Sequence, residues 1–574
     1  MEGLSSLEGW ALIATYFVAM MLLVVFLRKH KKTKEEFLVA NRSMPWLLTA
    51  FSMAATWVWA PSMFVASEKA YTQGLVGVFW FVVPNVLTLI LFAFFANKMR
   101  KLRPEGWTFS DYIREKYSKR CHNLFLIESF GLQTMSFAVQ LLAGATIFSK
   151  ITGISFTATT VVMALCPLVY TFASGIRSSI ITDFWKMLWI VIVLLLGLPI
   201  MFSSAGPEAL FNGLGGVSGG FSDLFSGNGL MVTLSFGIPT TIGLLSGTFG
   251  DQMFWQRVFC VKADKVKRTM ITAALIFAVV PISLAVFGFF AAGAGLAISD
   301  TQLTNVGAVM AFCPKWFLYL FFVLVLSGLI STVDSIICAV SSVAGHDVWT
   351  RIYASYSDKI HKGLNTSKLV VWCVDHDVSM ARIAMVVVTI VAILIANIPG
   401  LTILYLFLLY GTLRSSVMLP TVFAILGKRM SERGLFYGIL TSMIVGLPIF
   451  AYGNFAGSIP MIVFGSLFTI LTSGLMAIRR KHLKRGPVEM VVKIDRTDMD
   501  KCIGEIKAVG AEYLQCADKM EGHIRTFREL TESAKGTAKE IRKSVSYYKQ
   551  LQGSMCYVRQ KKQSKFNRKK SRRK

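Results

Sequence analysis

Apolar segments of about 18 to 27 residues recur along most of this 574-residue chain. Each is long enough to cross the hydrocarbon core of a bilayer, which is about 30 Å thick, as an α-helix. The first, GWALIATYFVAMMLLVVFL, is followed directly by the basic stretch RKHKKTK, as in a retained span rather than a cleaved signal peptide. Only 16% of the residues are charged and 54% are apolar, which is atypical of a soluble protein. We therefore expect an all-α polytopic integral membrane protein.

The hydropathy pattern predicts about thirteen membrane spans. They lie near residues 10–27, 47–68, 75–97, 123–149, 155–174, 184–204, 230–250, 270–296, 315–340, 381–397, 400–426, 435–452 and 459–478. Most Lys and Arg residues of the first 480 positions lie in the alternate loops 28–44, 98–121, 251–269, 345–380 and 427–434. The positive-inside rule places these basic loops in the cytoplasm. The N-terminus is then outside and the C-terminus inside the cell (inner or plasma) membrane.

Two spans that lie five apart contain helix-disrupting residues. The second has Pro61 two-thirds along, and the seventh has Gly237, Pro239 and Gly243 near its middle. Such a pair of interrupted spans is typical of transporters with inverted repeats, although Pro and Gly are also common in membrane helices generally. The predicted parts are an extra helix with a basic loop (1–44), two repeats (45–204 and 230–426), two further spans (427–480) and a cytoplasmic helical tail (481–574).

The tail is predicted to be a separate helical region. Apolar residues spaced seven apart over 497–553 favour a weak coiled coil, which would allow self-association, or an amphipathic helix. Residues 559–574 include ten basic residues and no acid. This composition would suit binding either to the anionic membrane leaflet or to nucleic acid. We favour the leaflet, because the chain is already tethered at a membrane. The nine cysteines and seven histidines show no paired or clustered spacing, so we expect no disulfide, no cofactor and no metal other than an alkali ion.

A stripe of hydroxyls lies in the apolar run LVLSGLISTVDSIICAVSS. On a helix, Gly328, Ser331 and Thr332 share one face, and Ser335 extends it towards the cytoplasm. Hydroxyls together with unwound backbone carbonyls can bind Na⁺, although Ser and Thr in membrane helices also pack or bond to their own helix. Facing a broken helix, the stripe favours an ion site. Asp334 in the same run could bind a cation, carry a proton or pair with a base.

Several motifs resemble the sodium:solute symporter family over roughly residues 35–430. They are FLVANRSMPWLLTAFSMAAT, TFSDYIREKYSK, GIRSSIITDFWK, GDQMFWQRVFCVKADKVKR and LISTVDS. Within the family, WVWAPSMFVASEKAYTQGLVGVFWF and MFWQR look most like the urea active transporters of fungi and plants. The resemblance implies a leucine-transporter-type 5+5 inverted repeat with broken helices, and secondary active transport with no enzyme activity.

The resemblance also implies a Na⁺ site between the second and ninth spans. Matched position by position, its oxygens are the carbonyls of Ala55, Val58 and Gly328 and the hydroxyls of Ser331 and Thr332. Asp183, in the matched Thr–Asp pair, would lie on the path of the ion to the cytoplasm. A carboxylate at the start of a helix is also favourable there for electrostatic reasons alone. The implied coupling ion is Na⁺, with H⁺ possible.

The solute site is predicted near the two helix breaks. Donors, acceptors and aromatic walls for a small polar solute are available from Trp57, Trp59, Trp80, Thr240 and Thr241, although buried aromatics are more often plain packing. Arg414, near the middle of the eleventh span, could pair with Asp334 or Glu128, or bind an anionic substrate. We therefore expect Na⁺-coupled uptake of urea or a urea-like solute. The alternatives are a carboxylate or amino-acid symporter, a sensor that signals through the tail, and a channel-like or scaffold protein.

Overall fold

The structure is a computed structural model that describes residues 4–27, 33–350, 352–353, 377–428 and 430–478. The predicted tail helix and basic end lie outside these residues. All the described residues belong to one compact unit, and their regular structure is helical apart from two isolated β-bridges. Twelve helices in this described part are long and apolar enough to span a membrane, which confirms the predicted fold class.

The helices up to residue 205 are α1 (Ser6–Leu27), α2 (Lys34–Val39), α3 (Trp46–Trp57), α4 (Ala60–Leu102), α5 (Phe109–Lys116), α6 (Lys119–Thr152), α7 (Phe156–Ser174) and α8 (Ile176–Ala205). Those that follow are α9 (Pro207–Asn212), α10 (Gly227–Val232), α11 (Ile238–Gly250), α12 (Gln252–Cys260), α13 (Val266–Gly293), α14 (Thr304–Phe312) and α15 (Lys315–Ser342). The last are α16 (Asp377–Ala396), α17 (Ile403–Leu426), α18 (Glu432–Thr441), α19 (Leu447–Phe455) and α20 (Ile459–Ala477).

The first predicted helix interruption is present. Helix α3 ends at Trp57, the next two residues are non-helical, and α4 begins at Ala60 with Pro61 in its first turn, where its missing N–H costs little. Helix α4 then continues to Leu102 and bends at Gly74, whose φ of +52° suits a residue without a Cβ. The non-helical backbone of Gly74 divides α4 into two helical segments, of which the first completes the second predicted span and the second carries the third. Counted as one element, α4 gives twelve long apolar helices in the described part of the chain where the sequence predicts thirteen spans.

The second predicted interruption is absent. Helices α10 and α11 are joined without a break by a π-helical turn at Thr233–Gly237. Pro239 lies in the first turn of α11, directly after the π-helical turn. The missing N–H of this proline therefore does not interrupt the helix. The chain leaves the helix only at Asp251 (φ −104°, ψ 119°), whose side chain caps α12 by accepting from Met253 N at 3.0 Å. The prediction of a break in the middle of this span is therefore wrong.

Helix α15 lies at the centre of the bundle. In the most apolar window of Lys315–Val348, 89% of the residues are buried, against 28% in α1. Helix α15 packs against α8, α6 and α3, while α13 packs along α4 and α11 against α17. Large exposed apolar side chains such as Phe26, Leu195 and Leu394 lie on outer helices. The hydroxyl stripe is consequently on the most enclosed helix, where polar groups need partners within the protein.

Candidate ion and solute sites

Thr332 of α15 faces the break between α3 and α4. Its Oγ1 lies 3.3 Å from the carbonyl oxygen of Val58 and 3.4 Å from those of Thr56 and Gly328. These distances exceed the usual 2.7–2.8 Å of an O–H···O bond, so the hydroxyl lies among three carbonyls without binding any one of them tightly. The carbonyl of Ala55 accepts the N–H of Val58 at 3.1 Å. The structure thus brings Val58, Gly328 and Thr332 together at the break, with Ala55 beside it.

The hydroxyl of Ser331 donates to Oδ1 of Asp183 at 2.7 Å. Oδ2 of Asp183 accepts from Ser52 Oγ at 2.7 Å and from Arg257 Nη2 at 2.9 Å. Asp183 is fully buried in the interior of α8, because that helix begins at Ile176 and not near residue 184. The interpretation of Asp183 as a carboxylate at a helix end is therefore wrong, and its charge is balanced by side-chain partners.

Asp334 is paired with a base, Lys186 of α8. Lys186 Nζ donates to Oδ2 of Asp334, which also accepts from Tyr170 OH at 2.7 Å, while Ser179 Oγ donates to Oδ1 at 2.9 Å. Ser335 Oγ donates to the carbonyl of Ser331 at 2.7 Å, in a bond within α15, and accepts from Arg257 Nη2. Of the three roles considered for Asp334, the structure shows the ion pair.

Asp183, Lys186, Arg257 and Asp334 form one network, here called the buried charge network. All four side chains have no exposed surface, and Lys186 Nζ also lies 3.6 Å from Oδ1 of Asp183. Two carboxylates face two cations, so the formal charges cancel, as the cost of burying charge requires. Sequence reasoning assigned no role to either cation, although Arg257 lies in the matched motif GDQMFWQRVFCVKADKVKR. Lys186 stands three residues after Asp183 inside a predicted span, which is an unusual place for a charge.

Arg414 of α17 pairs with Asp251, at the break between α11 and α12. Its Nη2 lies 2.9 Å from Oδ2 of Asp251, and the other carboxylate oxygen accepts from Gln133 Nε2 at 2.7 Å. The predicted partners were Asp334 and Glu128, and the structure contradicts both pairings. Asp334 is already neutralised by a lysine, and Arg414 pairs instead with Asp251 of the matched motif GDQMFWQRVFCVKADKVKR.

Three aromatic rings surround the guanidinium of Arg414. Its Cζ lies 5.6 Å from the ring centroid of Trp57, 5.2 Å from that of Trp59 and 4.5 Å from that of Tyr410. The two indoles stack with centroids 5.2 Å apart, and Trp57 Nε1 donates to the carbonyl of Asn85 at 3.2 Å. We call Arg414 and these three rings the arginine cage. At such distances cation–π attraction stabilises the guanidinium.

Several buried polar atoms of the cage, and others on α6 and α11, form no regular hydrogen bond within the described part of the chain. They include Nε and Nη1 of Arg414, Nε1 of Trp59, Oε1 of Glu128 and the hydroxyls of Thr240 and Thr241. Buried polar groups are normally bonded, so such a concentration is typical of a place that binds a polar molecule. Trp80 does not belong to the cage, since its Nε1 donates to Thr233 Oγ1 at 2.9 Å and its ring packs on Gly237 in the π-helical turn.

Comparison with known proteins fits this arrangement. The model of the sodium:solute symporter family matches residues 37–446. The chain is 21% identical over 554 residues to the urea-proton symporter DUR3 of Oryza sativa subsp. japonica, covering 86% of this chain and 74% of that one. It is 25% identical over 473 residues to the sodium/pantothenate symporter of Haemophilus influenzae, covering 78% and 93%.

The solved structure of a Na⁺-coupled sialic acid symporter in a substrate-bound outward-open state superposes with a TM-score of 0.62. It is 20% identical and covers 82% of this chain and 97% of its own. This likeness supports the leucine-transporter-type fold expected from the sequence motifs. The chain therefore belongs to the sodium:solute symporter family and is an integral membrane secondary active transporter of a small-molecule solute.

Proposed function

We propose that the protein couples inward Na⁺ movement to the uptake of urea or a urea-like neutral solute. The observation that carries the proposal is the group of carbonyls around Thr332 at the break between α3 and α4. The ion ligands are proposed to be the carbonyls of Ala55, Val58 and Gly328 with the hydroxyls of Ser331 and Thr332.

The spacing of these oxygens suits Na⁺. Hard cations of this size take oxygens at about 2.4 Å, so ligands at right angles around one ion are about 3.4 Å apart. The oxygens of Val58 and Gly328 lie 3.3 and 3.4 Å from Thr332 Oγ1. Ser331 uses its proton to donate to Asp183, which leaves the lone pairs of its oxygen able to bind a cation.

Asp183 is proposed to receive the ion after it leaves this site. It contacts Ser331 on one side and the buried charge network on the other. A cation moving from Ser331 towards Asp183 would therefore exchange a neutral ligand for a carboxylate. In the proposed topology, with the N-terminus outside and the basic loops in the cytoplasm, this movement is inward. Each Na⁺ then contributes about 2.3 kcal/mol per 100 mV of membrane potential.

The arginine cage and the unpaired polar atoms beside it are proposed to bind the solute. Arg414 already pairs with Asp251, so its charge is neutralised and does not favour a carboxylate substrate over a neutral one. Its two remaining nitrogens and Trp59 Nε1 are donors suited to a carbonyl oxygen, and Glu128 Oε1 is an acceptor for an amide N–H. Flat aromatic walls suit a small planar molecule. This combination supports urea over a carboxylate or an amino acid.

The experiment is uptake of labelled urea into proteoliposomes under three conditions: an inward Na⁺ gradient, an inward H⁺ gradient without Na⁺, and no gradient of either ion. We expect accumulation above the outside concentration only with the Na⁺ gradient. Accumulation with the H⁺ gradient alone would show that the coupling ion is H⁺, the ion named for the rice urea-proton symporter, and not Na⁺. A parallel panel of small amides, carboxylates and amino acids would refute the solute assignment if a carboxylate were accumulated and urea were not.

A further inference from the structure

A second polar cluster lies at the other end of α15, away from the ion site. Residues 343–348 form a π-helical turn after α15, and this turn carries His346 and Asp347. Asp111 of α5 and His122, in the first turn of α6, face the same turn. The histidines show no clustering along the sequence, yet the fold brings two of them together from segments more than 200 residues apart.

The distances in this cluster are close to those of a tetrahedral metal site. His346 Nε2 lies 3.4 Å from Oδ2 of Asp111, and His122 Nε2 lies 3.2 Å from Oδ1 of Asp347. One ligand atom each from Asp111, His346 and Asp347 lie within 4.8 Å of one another. Zn²⁺ with bonds of about 2.0–2.1 Å holds neighbouring ligand atoms about 3.3–3.4 Å apart. Two of the required separations are therefore present, one within the pair of Asp111 and His346 and one within the pair of His122 and Asp347, and side-chain movement would bring the two pairs onto one ion.

Neighbouring groups already orient the two carboxylates. Asp347 has no exposed surface and accepts from Thr108 Oγ1 at 3.0 Å and from Ser110 Oγ at 3.1 Å. Arg114 Nη2 lies 2.6 Å from Oδ1 of Asp111, which leaves Oδ2 of that carboxylate towards the histidine. Hydrogen bonds such as those to Asp347, and ion pairs such as that of Asp111, orient the carboxylate ligands of metal sites.

His346 is held in place but is not regularly bonded. Its ring stacks on Trp107 with centroids 5.1 Å apart and planes 8° apart. Its Nε2 is buried and forms no regular hydrogen bond in the described part of the chain, since 3.4 Å to Asp111 is longer than an ordinary N–H···O bond. The side chains of His346 and Asp111 are 14% and 12% exposed, so an ion can enter beside them.

We propose that Asp111, His122, His346 and Asp347 form a binding site for a transition-metal dication, best suited to Zn²⁺. Two imidazoles and two carboxylates are a ligand set that this ion accepts readily. A bound dication would connect α5 and the start of α6 to the end of α15. The site is independent of the ion and solute sites proposed above, so its existence does not depend on what is transported.

The test uses the full chain, purified with a tag that contains no histidine, freed of metal with a chelator and placed in nanodiscs. Co²⁺ is titrated and followed by the visible absorption typical of tetrahedral coordination, and Zn²⁺ is titrated by calorimetry. We expect one Zn²⁺ per chain. H346Q and H122Q should each weaken binding by about 100-fold, since each removes a direct ligand and even outer partners contribute about 10–100-fold.

The matched control is H361Q, which removes a histidine that is not among the four proposed ligands and should leave binding unchanged. Zn²⁺ should also raise the thermal unfolding midpoint of the unaltered protein and of H361Q, because a ligand that binds only the folded state stabilises it. H346Q and H122Q should show no such rise while keeping the metal-free midpoint. Unchanged Zn²⁺ affinity in both variants, or no binding by the unaltered protein at micromolar Zn²⁺, would overturn the proposal.

Discussion

Removing Lys186 should destabilise the protein far more than removing an exposed lysine that also forms an ion pair. Lys186 contacts Asp334 directly and lies 3.6 Å from Asp183, and none of the three side chains has exposed surface. In K186M, two buried carboxylates would share the single cation Arg257. A pair of charges about 4 Å apart interacts by about 4 kcal/mol at an effective dielectric constant of about 20.

The expected loss of stability is about 3–5 kcal/mol, the range found when one partner of a buried ion pair is removed. D334N should have a similar cost, since it leaves one cation in excess. The double variant K186M/D334N restores neutrality and should cost less than either single variant. For a folded protein of this size, a loss of 1 kcal/mol in the free energy of unfolding lowers the unfolding midpoint by about 1–2 °C. Each single variant should therefore unfold about 3–10 °C earlier.

The assay is thermal unfolding in nanodiscs, followed by the loss of monodisperse protein. The matched control is K150M, because Lys150 pairs with Asp300 but its side chain is 48% exposed, and surface pairs contribute about 0–1 kcal/mol. If the shifts of K186M and D334N simply added in the double variant, the two residues would be uncoupled. The idea of one neutral buried network would then be refuted.

Three further predictions concern the proposed sites. T332A should raise the Na⁺ concentration for half-maximal uptake about tenfold or more, because a contact to a charge contributes about 1.5–3 kcal/mol. T389A is the control, since the hydroxyl of Thr389 bonds within its own helix at 2.7 Å, and it should leave the Na⁺ dependence unchanged. Equal Na⁺ dependence in both variants would exclude Thr332 as a ligand. G247A should impair uptake, since its Cβ would lie 2.3 Å from an indole ring of the arginine cage. In the control G131A the added Cβ has its nearest neighbour at 4.0 Å, and this variant should transport normally. Normal uptake by both variants would show that the cage has no part in transport. W59F keeps an aromatic ring but loses the unpaired N–H donor of Trp59. It should raise the urea concentration for half-maximal uptake several-fold without changing the Na⁺ dependence. An unaltered urea concentration for half-maximal uptake would contradict the proposed role of this donor.

The central position of α15 could be predicted because its hydroxyls and its carboxylate have no place on a helix that faces lipid. The break after Trp57 could be predicted from the proline that follows it. The second predicted break is absent, since a π-helical turn accommodates the proline of that span and the helix continues to Gly250, where the predicted span ends. A local backbone adjustment of this kind leaves little trace in hydropathy.

The membrane class, the helical fold and the residues around the first helix break follow from the amino-acid sequence, because these depend on local properties: apolar length, backbone donors and the periodicity of a helix. Which charges are partners depends instead on how the helices pack. Lys186 joined Asp334, Arg257 joined Asp183, and Arg414 joined Asp251. A buried charge must be neutralised by whichever opposite charge the packing brings within about 4 Å, and that distance is set by how helices far apart in the sequence meet.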